Sequence, residues 1–137
     1  MRRFEITDHT ADVGITAYGA TLEELFANAA LGMFSIVGDP GKVSPRETRE
    51  VDVRAQGRES LLAAFLSELL YLFEVERFVT HDAQVTKVSD TEVTATARGE
   101  AIGPHHDLYT EIKAVTHHGL RVEQVGDMWE ADVLFDI

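Results

Sequence analysis

Two segments of the chain carry apolar residues at the spacing of an α-helix, and most of the rest alternates apolar and polar residues as half-buried strands do. The first helical segment begins after Thr21, which forms a capping box with Glu24, and it ends before Gly38. The second runs from about residue 58 to residue 75. Its apolar stripe is wide enough to cover a sheet. The stripe consists of Leu61, Leu62, Phe65, Leu66, Leu69, Leu70 and Phe73.

The predicted strands cluster in hairpins. They cover residues 4–7, 13–18, 51–53, 77–88, 92–99, 112–116, 120–125 and 128–135. Gly126-Asp127 between the last two is a two-residue hairpin signal, whereas the stretch 102–110 resembles a loop. We therefore expect an α+β fold, a two-layer sandwich of a mainly antiparallel or mixed sheet with the two amphipathic helices. Because nothing marks a linker, residues 1–137 are predicted to form a single domain.

The net charge of −12, from 24 acidic and 12 basic residues, limits the partners of this chain. A phosphate backbone would be repelled, which disfavours direct binding of nucleic acid. The excess of acid fits a basic protein partner or a divalent cation, and it also simply keeps a protein soluble. From charge alone we favour the interpretation that the acid keeps the protein soluble. The absence of cysteine excludes disulfides, thiolate metal sites and cysteine nucleophiles.

Targeting signals and common enzyme motifs are absent from the sequence. The N-terminal MRRFEITDH has no apolar core like that of a signal peptide. No apolar run approaches the roughly 20 residues that span a bilayer. We expect a cytoplasmic protein without a membrane partner. Neither a phosphate-binding loop, nor a dinucleotide fingerprint, nor a nucleophile elbow is present, which argues against the usual enzyme classes.

The stretch TDHTADVGITAYG, residues 7–19, places Asp8, His9 and Asp12 between two predicted strands. Its spacing is not that of an EF-hand. Counted from Asp8, such a loop needs glycine at the sixth position and glutamate at the twelfth, where the chain has Val13 and Gly19. One interpretation is a turn held by hydrogen bonds from the aspartate side chains. The other is a set of carboxylate ligands.

The last two residues offer further oxygens. Asp136 supplies a side-chain carboxylate and Ile137 a main-chain carboxylate, directly after a predicted strand. If this strand lies beside the one that leads from Asp12, several hard oxygens meet. Such oxygens suit Ca²⁺ or Mg²⁺ rather than zinc or copper. The alternative is an end that frays in solvent.

Lys113 is one of only three lysines and lies in a strand-like stretch. It is either a surface lysine paired with a carboxylate or a cation directed at a phosphate or at the acidic residues.

Four histidines also invite a metal hypothesis. Adjacent histidines on a strand point to opposite faces, so His117 and His118 do not easily share one metal. No HExxH pattern is present. We interpret the set as surface or loop histidines. Its members are His105, His106, His117 and His118.

Four segments of the sequence together resemble the archease family over essentially the full length. They are DHTADVG, TLEELFANAALGMF, TEIKAVTHH and a terminus of the FDI type. The resemblance implies a small α/β domain that serves as protein cofactor of the RtcB-type RNA ligase. That ligase joins tRNA exon halves and uses GTP to guanylylate its own histidine. Archease promotes this guanylylation and sustains multiple turnover without being the ligase, so no catalytic residue and no enzyme activity are implied.

The resemblance also implies a divalent-metal site. Its ligands would be Asp12, Asp136 and the carboxylate of Ile137, and the metal would be Ca²⁺, with Mg²⁺ or Mn²⁺ as alternatives. Lys113 would be the functional cation, and Asp8 and His9 would support the ligands. Two other functions stay open. One is a chaperone-like acidic protein-binding module with a purely structural metal, and the other is a metal-dependent hydrolase that acts alone.

Overall fold

The structure is a computed structural model that describes residues 2–8 and 12–137, with only the backbone of Asp8. Within that part of the chain, seven strands and two α-helices follow one another in the order β1, β2, α1, β3, α2, β4, β5, β6, β7. A short 3-10 helix, Pro40–Lys42, precedes β3. The elements are β1 Phe4–Asp8, β2 Asp12–Gly19, α1 Leu22–Val37, β3 Glu47–Arg54, α2 Arg58–Glu74, β4 Phe78–Val88, β5 Glu92–Ala101, β6 Ala114–Val125 and β7 Met128–Asp136.

The strands form two sheets, one with the order β1-β2-β7-β6 and the other with the order β3-β5-β4. All paired strands are antiparallel. The predicted α+β class with two helices is therefore confirmed, although the sheet is divided in two. Each helix bridges the division: α1 packs on β2 and β4, and α2 packs on β6 and β3. In the described residues, no helix has the length and apolar character that crossing a membrane requires.

The first helix begins where the capping box predicted. Thr21 Oγ1 accepts a hydrogen bond from the Glu24 backbone at 3.1 Å, and the Glu24 carboxylate accepts one from Ala20 N at 3.2 Å. At the other end, Gly38 N donates to Phe34 O. These bonds satisfy backbone groups that the helix itself leaves unpaired, so the local sequence is sufficient to define both ends.

The core lies between the helices and the two sheets. Phe26 of α1 and Phe65 of α2 are fully buried, with ring centroids 5.7 Å apart. Removing a buried phenylalanine ring typically costs about 3–5 kcal/mol. The packed helices therefore support the strands of both sheets, including β2 and β6.

Residues 112–125 differ from the prediction of two separate strands. They contain one strand, β6, whose pairing with β7 is interrupted between Thr116 and Arg121. Gly119 lies in this interruption with φ of 67°, which glycine adopts readily. Ile112, placed in a strand by the sequence pattern, precedes β6 and is buried. The hairpin at Gly126 is confirmed, since Val125 pairs with Met128.

Candidate functional site

Two carboxylate residues meet where β2 begins and β7 ends. The antiparallel register places Asp12 directly opposite Asp136. Side chains of such partners project from the same face, with Cβ atoms about 4.5–5.5 Å apart. Because Val13 and Phe135 point into the core, strand alternation turns Asp12 and Asp136 to the other face of the sheet.

The surroundings of this pair favour a cation. Like charges directly opposite each other destabilise a sheet. No basic side chain of the described residues forms an ion pair with either carboxylate within 4.0 Å. The Oδ1 atom of Asp12 is buried and has no hydrogen-bond partner in that part of the chain. A buried polar atom without a partner costs roughly 1–3 kcal/mol or more. The two residues thus fit a hard divalent cation, which binds carboxylate oxygens.

The backbone connects Lys113 to the same place. Lys113 N donates to the carbonyl oxygen of Asp136 at 2.8 Å, and Ala114 pairs with Asp136 in the β6–β7 register. Ile137 follows and is 43% exposed. The Lys113 side chain is exposed and lines a cleft of about 380 Å³ together with Phe73 and Glu74 of α2. The backbone of Lys113 therefore lies beside the aspartate pair, and the residue also lines the cleft beside α2.

Two other predicted site residues lie at the edge of the described part of the chain. The backbone of Asp8 ends β1 opposite Val13. The Asp8 side chain and all of His9 lie outside the described residues, so their proposed support of the ligands stays a prediction.

The sequence reasoning missed a buried cluster around Glu100. Glu100 Oε2 accepts hydrogen bonds from Ser44 N at 2.9 Å, from His106 Nε2 at 2.9 Å and from His105 Nε2 at 3.2 Å. The Ser44 amide first, and then His106 and His105, lower the pKa of Glu100 from 4.5 to about 2. The interpretation of these histidines as surface or loop residues is right for His106 in that it lies in the loop after β5, but its side chain is only 2% exposed. Its ring is buried because the loop after β5 folds it back onto Glu100 and the Gly103 amide.

The cluster has the residue types of a metal site, because the ligating atoms of Glu100, His105 and His106 lie within 4.8 Å of one another. Its hydrogen bonds argue against that use. His106 Nδ1 accepts from Gly103 N at 2.9 Å, so the neutral ring carries its proton on Nε2, which then donates to Glu100. No lone pair of His106 is left for a metal. The cluster instead ties the 102–107 loop to β5 and to the segment before β3.

Comparisons with known proteins agree with this architecture. The sequence pattern of the Archease protein family matches residues 4–137. The chain is 45% identical to protein archease of Methanosarcina acetivorans, covering 99% of this chain and 97% of that protein. It is 43% identical to protein archease of Thermococcus gammatolerans, with both chains covered completely.

Two solved structures resemble this fold. The solution structure of Methanobacterium thermoautotrophicum protein 1598 superposes with a TM-score of 0.82 at 36% identity, with both chains fully covered. The crystal structure from Thermotoga maritima described as an archease, possible chaperone, gives a TM-score of 0.67 at 23% identity. It covers 100% of this chain and 98% of that one. The second comparison shows the shared fold only.

Proposed function

Because this chain belongs to the archease protein family, we propose that it activates an RtcB-type RNA ligase in tRNA splicing. In this proposal it promotes guanylylation of the ligase by GTP and sustains multiple turnover, while the ligase performs the chemistry. The net charge of −12 supports this role. An acidic protein is attracted to a basic cleft that binds RNA, and such complementarity accelerates encounter and orients the partners.

The observation that carries the proposal is the pairing of Asp12 with Asp136, in which a buried Asp12 oxygen has no hydrogen-bond partner among the described residues. We propose that these two carboxylates hold a divalent cation, Ca²⁺ or alternatively Mg²⁺ or Mn²⁺, together with a main-chain carboxylate at Ile137. Ca²⁺ takes six to eight oxygens, so this set leaves positions for water or for oxygens of a phosphate. When bound, the cation supplies positive charge that stabilises phosphate oxygens.

Lys113 has a separate task in this proposal. Its backbone amide fixes the carbonyl group of Asp136 at 2.8 Å, which holds the end of β7 against the start of β6. Its ammonium group offsets phosphate charge during guanylylation.

Ligase guanylylation with and without this protein tests the proposal. The protein should increase both the rate of guanylylation and the number of turnovers. Asp12→Asn removes one ligand charge at nearly constant size and should abolish the increase. Asp127→Asn is the matched control, because Asp127 is an exposed carboxylate in the β6–β7 turn. Equal stimulation by wild type and Asp12→Asn would contradict a role of the metal site in stimulation, and no stimulation by the wild type would contradict the function.

A second candidate is a chaperone-like module that remodels a partner while its metal is structural. Exposed apolar side chains favour it, since they are suited to contact another protein. They lie near the end of α2 and in the 102–110 segment, at Tyr71, Val75, Leu108 and Tyr109. This candidate predicts that Asp12→Asn keeps its stimulation as long as it stays folded. A hydrolase acting alone would instead turn over GTP without the ligase.

A further inference from the structure

Three basic side chains form no ion pair among the described residues. Nine of the 12 lysines and arginines have a carboxylate within 4.0 Å. Arg3, Arg77 and Lys113 have none in the described part of the chain. Acidic residues outnumber basic ones two to one, so most cations find a partner easily. Two of the three exceptions, Arg77 and Lys113, line the same cleft of about 380 Å³.

Arg77 also has an unusual backbone. Its φ of 56° makes it the one residue other than glycine with a positive φ among those described. For such a residue the left-handed conformation is sterically unfavourable. One backbone hydrogen bond supports the conformation: Arg77 O accepts from Ile102 N at 2.8 Å. Glycine would suit this position better, so an arginine here indicates a use for the side chain rather than for the turn.

The cleft also contains two carboxylates, Glu74 and Glu111. Neither forms an ion pair with Arg77 or Lys113 within 4.0 Å among the described residues. A lone phosphate would therefore meet repulsion as well as attraction. A phosphate chain complexed with a divalent cation carries both negative and positive charge. Such a ligand would offer phosphate oxygens to the two basic side chains and a cation to the two carboxylates. Mg²⁺ is typically held in this way, by one or two carboxylates together with phosphate oxygens of the substrate.

An apolar cavity adjoins the cleft. It has a volume of about 310 Å³ and shares Phe73, Arg77 and Glu111 with the cleft. Tyr109 on its wall is 63% exposed. An exposed aromatic ring next to a phosphate site offers a surface on which a base stacks.

We propose that this cleft binds the polyphosphate of a nucleotide as its magnesium complex. Arg77 and Lys113 contact the phosphates, Glu74 and Glu111 face the cation, and the base lies toward Tyr109. The guanidinium group of Arg77 suits this task because it binds phosphate in a bidentate manner. The inference deepens the proposed function and rests on it for Lys113. Strand alternation places the Asp12–Asp136 pair on the other face of the sheet, so the magnesium here is distinct from the cation of that pair.

The proposal is tested by binding inorganic triphosphate to the protein alone, with and without Mg²⁺. Calorimetry measures the affinity, and NMR chemical-shift changes of the backbone amides of residues 109–113 report where the ligand binds. Magnesium triphosphate should bind more tightly than free triphosphate. Arg77→Gly should weaken that binding about tenfold, the loss of one strong charge-assisted contact. Its melting temperature should not fall, because glycine accommodates the positive φ.

Two further variants distinguish a specific site from loss of folding and from a general effect of charge. Glu111→Gln should weaken binding of magnesium triphosphate and strengthen binding of free triphosphate, an opposite change that loss of folding cannot produce. Arg3→Ala is the matched control, because Arg3 also lacks an ion pair in the described residues but lines a different cavity. Its affinity should equal that of the wild type. An unchanged affinity in Arg77→Gly, an equal loss in Arg3→Ala, or tighter binding without magnesium would overturn the proposal.

The ligase assay separates this inference from the proposed function. If triphosphate binding behaves as expected but the wild type does not stimulate guanylylation, the cleft stands and the proposed function fails. If the wild type stimulates guanylylation while Arg77→Gly binds triphosphate and stimulates as the wild type does, the function stands and the cleft proposal fails.

Discussion

Asp12 and Asp136 face each other across the β2–β7 pair, with one Asp12 oxygen buried and without a hydrogen-bond donor in the described residues. Two carboxylates in this position repel each other unless a cation lies between them. The structure therefore has a local cost that a bound metal would remove.

In the presence of a chelator, Asp12→Asn should be more stable than the wild type. Neutralising one of two opposed carboxylates relieves repulsion of about 0.2–1 kcal/mol, which for a chain of this size raises the melting temperature by up to about 4 °C. Adding Ca²⁺ should reverse the order, because only the wild type gains stability from binding. Thermal melts of both proteins in chelator and in calcium would measure this. A variant that is less stable in both conditions would contradict the repulsion argument.

Glu100 should make the free energy of unfolding depend on pH in the acidic range. Its pKa is about 2 in the folded protein and 4.5 ordinarily, so its ionised form stabilises the fold fully above pH 4.5. That contribution is lost as the pH falls from 4.5 through 2. Glu100→Gln should therefore be less stable than the wild type at neutral pH, with a difference that shrinks across this window. Melting temperatures of both proteins from pH 7 to pH 2 would test it. A difference that stays constant over the range would show that charge is not the cause.

Sequence patterns predicted the local parts of this fold well, because their causes lie within a few residues. The capping box at Thr21 and the hairpin at Gly126 are examples. The possible meeting of Asp12 and Asp136 also followed from the pattern, but only on condition that their strands were neighbours. That condition holds in the structure.

Other features depend on contacts between distant segments. Ser44, Glu100 and His106 meet through packing of the loop after β5, and no spacing in the sequence indicates this. The positive φ of Arg77 could not be predicted from the sequence either, because arginine is not a residue that favours this backbone conformation. The cleft beside Lys113 needs both α2 and the 102–113 segment, so it too could not be inferred from either one.

Replacing Lys113 by alanine should reduce stimulation of the ligase strongly while leaving the fold intact. The side chain is exposed and forms no ion pair within 4.0 Å in the described residues, so the fold loses little without it. Its backbone bond to Asp136 does not depend on the side chain. Lys113→Arg should restore only part of the activity, because the two cations differ in geometry. Guanylylation rates measured beside thermal melts would test this. Normal stimulation by Lys113→Ala would show that the Lys113 side chain is not needed for activation of the ligase.

The chain terminus gives a separate test. A protein made to end at Ile137 carries a carboxylate there, whereas one extended beyond Ile137 carries a neutral amide and continues the backbone into the site. The extended protein should bind divalent metal less tightly and stimulate the ligase poorly. An extension of the same length at the N-terminus is the control and should leave both properties largely unchanged. Equal metal affinity of the two extended proteins would remove Ile137 from the ligand set.

The most direct test of the central claim is a calorimetric titration of Ca²⁺ into four proteins: the wild type, Asp12→Asn, Asp136→Asn and Asp127→Asn. If the opposed aspartates hold the cation, the wild type and Asp127→Asn should bind one ion with equal affinity. The two site variants should each lose at least about tenfold, since a ligand charge is removed. Equal binding by all four proteins, or a loss in Asp127→Asn as large as in Asp12→Asn, would contradict the claim that Asp12 and Asp136 form the metal site.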